Sequence, residues 1–266
     1  MNPLSHRHLA RYRLGDDVHH GLRAPEGWMR LSAAPWHGGG PCGPIDPPDA
    51  VHLLAPCAPT KFVCIGLNYL EHVQESLTFT GKAKEPPTEP LFFLKPPSAA
   101  LGPGGAIVYP AGVTRLDPEG EVAIVIGRRA HRVPESEALD HVAGVTAFND
   151  VSARNHQQTD GQWTRAKGFD TFAPFGPVIA LGLSPLDLEF SLRVNGQIRQ
   201  QARSSQMHFG IARLIAHVSR VMTLEPGDVI ATGTPGGIAP IVPGDRLEVE
   251  VEGVGVLVNT VEAEHP

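Results

Sequence analysis

Cysteine is nearly absent: Cys42, Cys57 and Cys64 are the whole set. An odd, scattered trio argues against a disulfide framework or a thiolate zinc site, and points to a reducing, cytoplasmic setting. No apolar run approaches the roughly 20 residues that cross a bilayer, so no membrane partner is expected. The opening "MNPLSHRHLARYRLGDD" has no continuous apolar core, and no secretory signal is read in it. Positive charge is not in excess either. A formal net charge of -6 and a pI of about 6.1 leave no basic footprint for nucleic acid. Aromatics are only 6% of the chain, yet apolar residues reach 41%, enough for a sizeable core in 266 residues.

What is abundant is glycine (29) and proline (26), the mark of many turns. They concentrate in "PWHGGGPCGPIDPP", residues 35–48, where nine of fourteen positions are one or the other. Such a segment sustains neither a helix nor a central strand and reads as a linker. The expected organisation is a short N-terminal β segment with this linker, residues 1–58, followed by a main domain over residues 59–266. "ARYRLG" and "GWMRLS" suggest two strands in the first part.

In the main domain, "KFVCIG" and "EVAIVIG" read as buried strands. "SLRVNGQIRQQ" carries Asn195-Gly196 between alternating residues, a strong hairpin signal. Pro-Gly-Asp turns open "PGDVIATGTP" and "PGDRLEVEV", and a second hairpin breaks at Gly253 to Gly255. One amphipathic helix stands out in "GIARLIAHVSRVM", where Ile211, Leu214, Ile215, Val218 and Met222 recur at helical spacing. Shorter helices are expected at "NYLEHVQES", "ESEALDHV" and "ARNHQQ". Strands without regular helix alternation indicate a mainly β, α+β fold: a mixed β-roll or sandwich with peripheral helices.

"RLDPEGEVAIVIG" sets Asp117, Glu119 and Glu121 at alternate positions before a buried run. Residues two apart share one face of a strand. Glu119 and Glu121 would lie about 6.6 Å apart at Cα, while Pro118 and Gly120 would distort the start of the strand at Asp117. Two carboxylates about 5 Å apart repel by roughly 3 kcal/mol at an effective dielectric of about 20. A hard cation such as Mg²⁺ removes that conflict, and Asp150 in "AGVTAFNDVSARN" offers a third oxygen ligand. The alternatives are a solvated edge for the two glutamates and a helix N-cap for Asp150.

"NYLEHVQES" places His72 and Glu75 on one helical face, a pairing that orients an imidazole for proton transfer or makes an ordinary surface contact. In "WTRAKGFDTF", Lys167 lies between Trp163 and Phe169, as an oxyanion stabiliser or a plain surface lysine. "ATGTPGGI" is a glycine-rich loop without phosphate-cradle spacing.

Taken in order, "IGLNYLEHVQE", "PLFFLKPPSAALGPGGAIVYP", "DPEGEVAIVIG", "AGVTAFNDVSARN", "QWTRAKGFDTFAPFGP", "VNGQIRQ" and "MTLEPGDVIATGTPGGI" resemble the fumarylacetoacetate hydrolase family from about Lys61 to Val261. The resemblance leans to its 2-hydroxyhepta-2,4-diene-1,7-dioate isomerase and acylpyruvate hydrolase branch. It implies a β-roll catalytic fold, a homodimer, and Mg²⁺ or Mn²⁺ held by Glu119, Glu121 and Asp150. It also implies a His72/Glu75 dyad, the family lysine at Lys167, and substrate contacts from Gln157 and Thr234. Leu67 stands where some members have a substrate-touching arginine, and Asn155 replaces a common aspartate. The short N-terminal segment argues against fumarylacetoacetate itself.

The expected chemistry is therefore that of a metal-dependent enzyme on a 2-oxo or 2-hydroxy-dienoic acid. A metal-stabilised enolate would serve isomerisation or decarboxylation of 2-hydroxyhepta-2,4-dienedioate in aromatic breakdown. Acylpyruvate hydrolysis and oxaloacetate decarboxylation are the alternatives within the family. Segment 76–90 would close as a lid. Outside the family, a metallonuclease or a non-catalytic metal-binding β module would share the acids.

Overall fold

The computed structural model describes residues 7–80 and 85–265, with residues 76–80 as backbone only. Residues 81–84 of the expected lid lie outside the described residues. The fold is mainly β, as the turn-rich composition implies, with strand outweighing helix 43% to 17%.

The large sheet runs in the order Pro41–Asp46, Gly27–Leu31, Asp17–Ala24, Arg7–Leu14, Ala173–Leu181, Val142–Asn149, Gly120–Ile126, Val229–Ala231, Phe62–Gly66 and Leu91–Lys95. His52–Leu53 and Ala100–Leu101 add short ladders at its side. A five-stranded sheet, Gln197–Arg203, Glu189–Val194, Arg246–Val251, Gly255–Ala263 and Ala106–Tyr109, packs on it. Val122 and Val145 from the first meet Leu192, Val249 and Leu257 from the second in one core.

The strand Gly120–Ile126 is buried along its whole length. Ala123 and Val125 enter a second core with Phe62, Phe148 and Phe175. Ile124 and Ile126 meet the helix Ile211–Val221 through Leu214, Ile215 and Val218. Burying each large apolar side chain here contributes about 2 kcal/mol, which offsets part of the cost of the acids at the strand's start.

The Asn195-Gly196 turn is confirmed: both residues have positive φ, 51° and 77°, as a type I′ hairpin requires. Two local readings change. "ESEALDHV" is a 3-10 segment, Glu135–His141, with only Ala138 buried, too little apolar face to hold a full α-helix. The proline-rich stretch read as a linker holds a 3-10 turn, Pro35–His37, and then the strand Pro41–Asp46. That strand is the outer edge of the sheet, where missing proline N–H groups cost no ladder bonds.

The edge strand is anchored at Asp46, which is buried. Its carboxylate accepts from Tyr12 Oη at 2.5 Å and from Arg30 Nε and Nη2 at 3.0 and 2.6 Å. The Arg30 hydrogen bonds, outweighing burial, hold this carboxyl below its ordinary value. A depressed folded pKa gives stability that is present above the unfolded value, near 4, and lost as pH falls through the folded one. Asp46→Asn is therefore expected to lower the melting temperature at neutral pH by on the order of 5 °C. The gap to the parent should shrink as pH drops below about 4. A gap that stays constant down to acid pH would reject the ion pair as its source.

A buried carboxylate cluster and its cavity

Antiparallel register brings the acids together. Gly120 pairs with Asn149 and Glu121 with Phe148, so the start of one strand meets the end of the next. Glu119 N–H donates to the Asn149 side chain at 3.0 Å, and Asp150 N–H donates to Glu119 O at 2.8 Å. One carboxylate oxygen from each of Glu119, Glu121 and Asp150 then lies within 4.8 Å of the others, and all three residues are buried.

Asp117 is not part of this cluster. Leu116–Asp117 leaves the main strand at Pro118 and pairs with Ser152–Ala153 instead. Its oxygens accept from Arg115 and from Arg154 Nε, at 2.9 Å in each case. Arg154 also donates to Glu119 Oε1 at 2.5 Å and to Gln157 Oε1 at 2.7 Å.

Lys167 Nζ donates to Glu119 Oε2 and Asp150 Oδ2, both at 2.7 Å, and lies 5.0 Å above the Phe93 ring. Lys95, wholly buried, donates to the carbonyls of Val151 and Phe172. It also faces Asp150 Oδ1 at 2.5 Å, close enough for an ion pair although the angles fall outside hydrogen-bond geometry. Arg154 and Lys95 were not singled out in the sequence. The signal was there in "SARN" and "FFLKPP": a cation at the end of a buried strand needs an acid.

The charges are unevenly shared. Burial alone would push the Glu119 carboxyl up, but the Lys167 and Arg154 cations outweigh it and hold it far below the usual range. Glu121 goes the other way. Burial, then the negative charges of Asp150 and Glu119, push its carboxyl well up. Its carboxylate accepts from the Gly233 N–H at 2.7 Å. Gly233 has φ 104°, and a Cβ there would lie 2.7 Å from the Asn68 side chain, so only glycine brings this amide to the acid.

A buried acid facing two others, with no cation of its own among the described residues, fits a divalent ion. The donors are all carboxylate oxygens, which suits a hard cation. Among the described residues this is the one such group of metal-ligating side chains.

A cavity of about 90 Å³ opens on the cluster, room for several waters or a small acid. His72, Glu119, Glu121, Asp150, Gln157, Lys167 and Thr234 all line it. Ile65, Leu67, Phe93, Trp163 and Ile238 form the apolar walls. Leu67 holds φ 59°, uncommon for a branched side chain. The next residue, Asn68, fixes it by bonding to Phe209 N–H and to the carbonyls of Phe209 and Thr232. Thr234 Oγ1 donates to Gly120 O at 3.0 Å and accepts from Gln200.

Glu75 sits behind His72 and does not line the cavity. His72 Nδ1 is 3.7 Å from Glu75 Oε2, an ion-pair distance rather than a hydrogen bond. Its Nε2 is 3.9 Å from Glu119 Oε1. Glu75 Oε2 also accepts from the Gly237 and Ile238 N–H groups, at 3.1 and 3.4 Å. Burial works against its ionisation, but His72 and these two amides prevail and lower the pKa. The helix Leu70–Thr80 is thereby tied to the loop that follows Thr234.

The same architecture occurs in known proteins. The chain is 48% identical over 214 residues to Protein Rv2993c of Mycobacterium tuberculosis, covering 79% of this chain and 78% of that protein. It is 39% identical over 230 residues to oxaloacetate tautomerase Fahd2a, mitochondrial, of Rattus norvegicus, covering 82% and 72%. A crystal structure of 2-hydroxyhepta-2,4-diene-1,7-dioate isomerase from Mycobacterium marinum superposes with a TM-score of 0.88 at 39% identity, covering 98% and 100%. Residues 7–56 match an Rv2993c-like N-terminal family. No helix among the described residues is long and apolar enough to cross a membrane. Residues 61–262, which hold every member of the carboxylate cluster and its cavity, match the fumarylacetoacetate (FAA) hydrolase C-terminal family, and the chain is an enzyme of that family.

Proposed function

We propose that this enzyme isomerises or decarboxylates a 2-oxo or 2-hydroxy-dienoic acid of the 2-hydroxyhepta-2,4-dienedioate type, in aromatic breakdown, with Mg²⁺ or Mn²⁺ as cofactor. The observation that carries this reading is the buried Glu119, Glu121 and Asp150 cluster opening on a small half-apolar cavity. Those three side chains would hold the cation. When bound, it would supply Lewis acidity toward the carboxylate and 2-oxo group of the substrate.

The chain's own residues supply the rest. Lys167, fixed between Glu119 and Asp150, brings positive charge to the side of the cavity where negative charge develops as an enolate forms. His72, oriented by Glu75, moves the proton to or from the substrate carbon. Gln157 and Thr234, both in the cavity lining, contact the substrate. Phe93, Trp163, Leu67 and Ile238 limit the water that could quench the enolate.

A second reading has its own support. The relative named as an oxaloacetate tautomerase needs the same proton movement and no C–C cleavage. One panel separates the two: oxaloacetate, an acylpyruvate and 2-hydroxyhepta-2,4-dienedioate, each with Mg²⁺ and with a chelator. The expected result is turnover of the dienedioate that stops on chelation. Preference for oxaloacetate enol-keto exchange favours the second reading. Turnover indifferent to chelation, or none with any of the three, rejects both.

A further inference from the structure

A group of basic side chains lies in the N-terminal part of the sheet, away from the carboxylate cavity. Strand register sets Arg11 directly opposite His20, so their side chains share one face. Arg11 and His20 line a common cavity with His37, Trp36, Cys57 and Gly227.

Arg11 is set apart from the other shielded arginines. Six arginines among the described residues are buried or half-buried: Arg11, Arg30, Arg115, Arg154, Arg193 and Arg203. Five of these pair with a carboxylate. Arg11 has no carboxylate partner among the described residues. The residue after Gly227 is the buried Asp228, and its oxygens are filled by Thr60, by Lys61 and by the Glu225 N–H. Burial, with the charges of Arg11 and His37, holds the His20 imidazole below its ordinary value. A half-buried arginine with no carboxylate partner among the described residues thus faces an open space beside two imidazoles.

We propose that the Arg11, His20 and His37 cleft binds a small oxyanion, a carboxylate or a phosphate group of a metabolite. Arg11 supplies a planar fork of N–H donors for two oxygens. His20 and His37 add ring N–H donors from the neighbouring strand and from the Pro35–His37 turn. Gly227 closes the floor just before the strand Val229–Ala231, whose other end leads to Thr234 in the carboxylate cavity. The cleft is a site of its own, and nothing in its assignment depends on the metal reading.

The test is a titration of the full chain, kept metal-free with a chelator, using inorganic phosphate and separately succinate against chloride at matched ionic strength. Shifts of the His20 and His37 imidazole signals report occupancy. Saturable binding in the low-millimolar range is expected, weakened at least about tenfold in Arg11→Gln and only partly in Arg11→Lys. Phosphate binding without succinate binding would identify the ligand group as phosphate, and the converse as carboxylate. No saturable shift with either anion in the parent protein overturns the proposal. So does binding that is unchanged in a folded Arg11→Gln.

Discussion

Glu121→Gln is expected to leave the fold intact while lowering turnover on the order of 10³-fold. Glutamine keeps the shape of the side chain and can still accept the Gly233 N–H. Without a cation, burial and the neighbouring acids already drive Glu121 toward its neutral form. A neutral amide therefore costs the folded chain little. What it removes is one anionic ligand of three, and metal affinity should fall by at least about 100-fold. Titration calorimetry with Mn²⁺, a melting curve and the dienedioate assay read the three effects separately. Glu119→Gln should behave differently. Glu119 answers the buried charges of Arg154 and Lys167, and removing one partner of such a pair costs about 3–5 kcal/mol. A Glu121→Gln protein that keeps parental Mn²⁺ affinity would show that the ion is not held at this cluster.

The contrast between these two glutamates also marks what the sequence could reveal. Alternation placed Glu119 and Glu121 on one face, and the run Val122 to Ile126 identified a buried strand; both hold. The distinction between the two acids was invisible, because it depends on Lys167 and Arg154, which reach Glu119 from distant positions in the chain. Extending the alternation to Asp117 fails for a local reason. Pro118 breaks the ladder, and the aspartate turns to Arg115 and Arg154. Lys95 was missed because its partner, Asp150, meets it only through the sheet's tertiary arrangement.

The N-terminal region was partly legible for similar reasons. "ARYRLG" and "GWMRLS" had enough apolar character to be read as strands. The strand between them, Asp17–Ala24, is polar and carries two histidines. It is held by pairing on both sides, with Leu22 its one buried apolar side chain. The edge strand Pro41–Asp46 owes its place to Asp46, whose anchors Tyr12 and Arg30 come from two other strands. No pattern within residues 35–48 could announce that.

His72→Gln is expected to lower kcat by about 10²- to 10⁴-fold, with Mn²⁺ affinity and the melting temperature close to parental values. His72 lines the cavity, but its nearest approach to the acids is 3.9 Å, to Glu119. It is not one of the three clustered ligands, so its loss should not disturb the ion. Its Nδ1 has no hydrogen-bond partner among the described residues, and Glu75 stands 3.7 Å away. That distance is long for a working dyad, and contacts of this kind tighten when substrate closes the site. Glu75→Gln should therefore cost less, on the order of tenfold, because it removes orientation and charge but leaves the base. The order matters more than either value. If Glu75→Gln proves the more damaging, the tie between the helix Leu70–Thr80 and the Gly237–Ile238 amides is the main role of that face. If His72→Gln retains full turnover, proton transfer belongs to another group in the cavity, and Lys167, already within 2.7 Å of two ligand carboxylates, becomes the one to test.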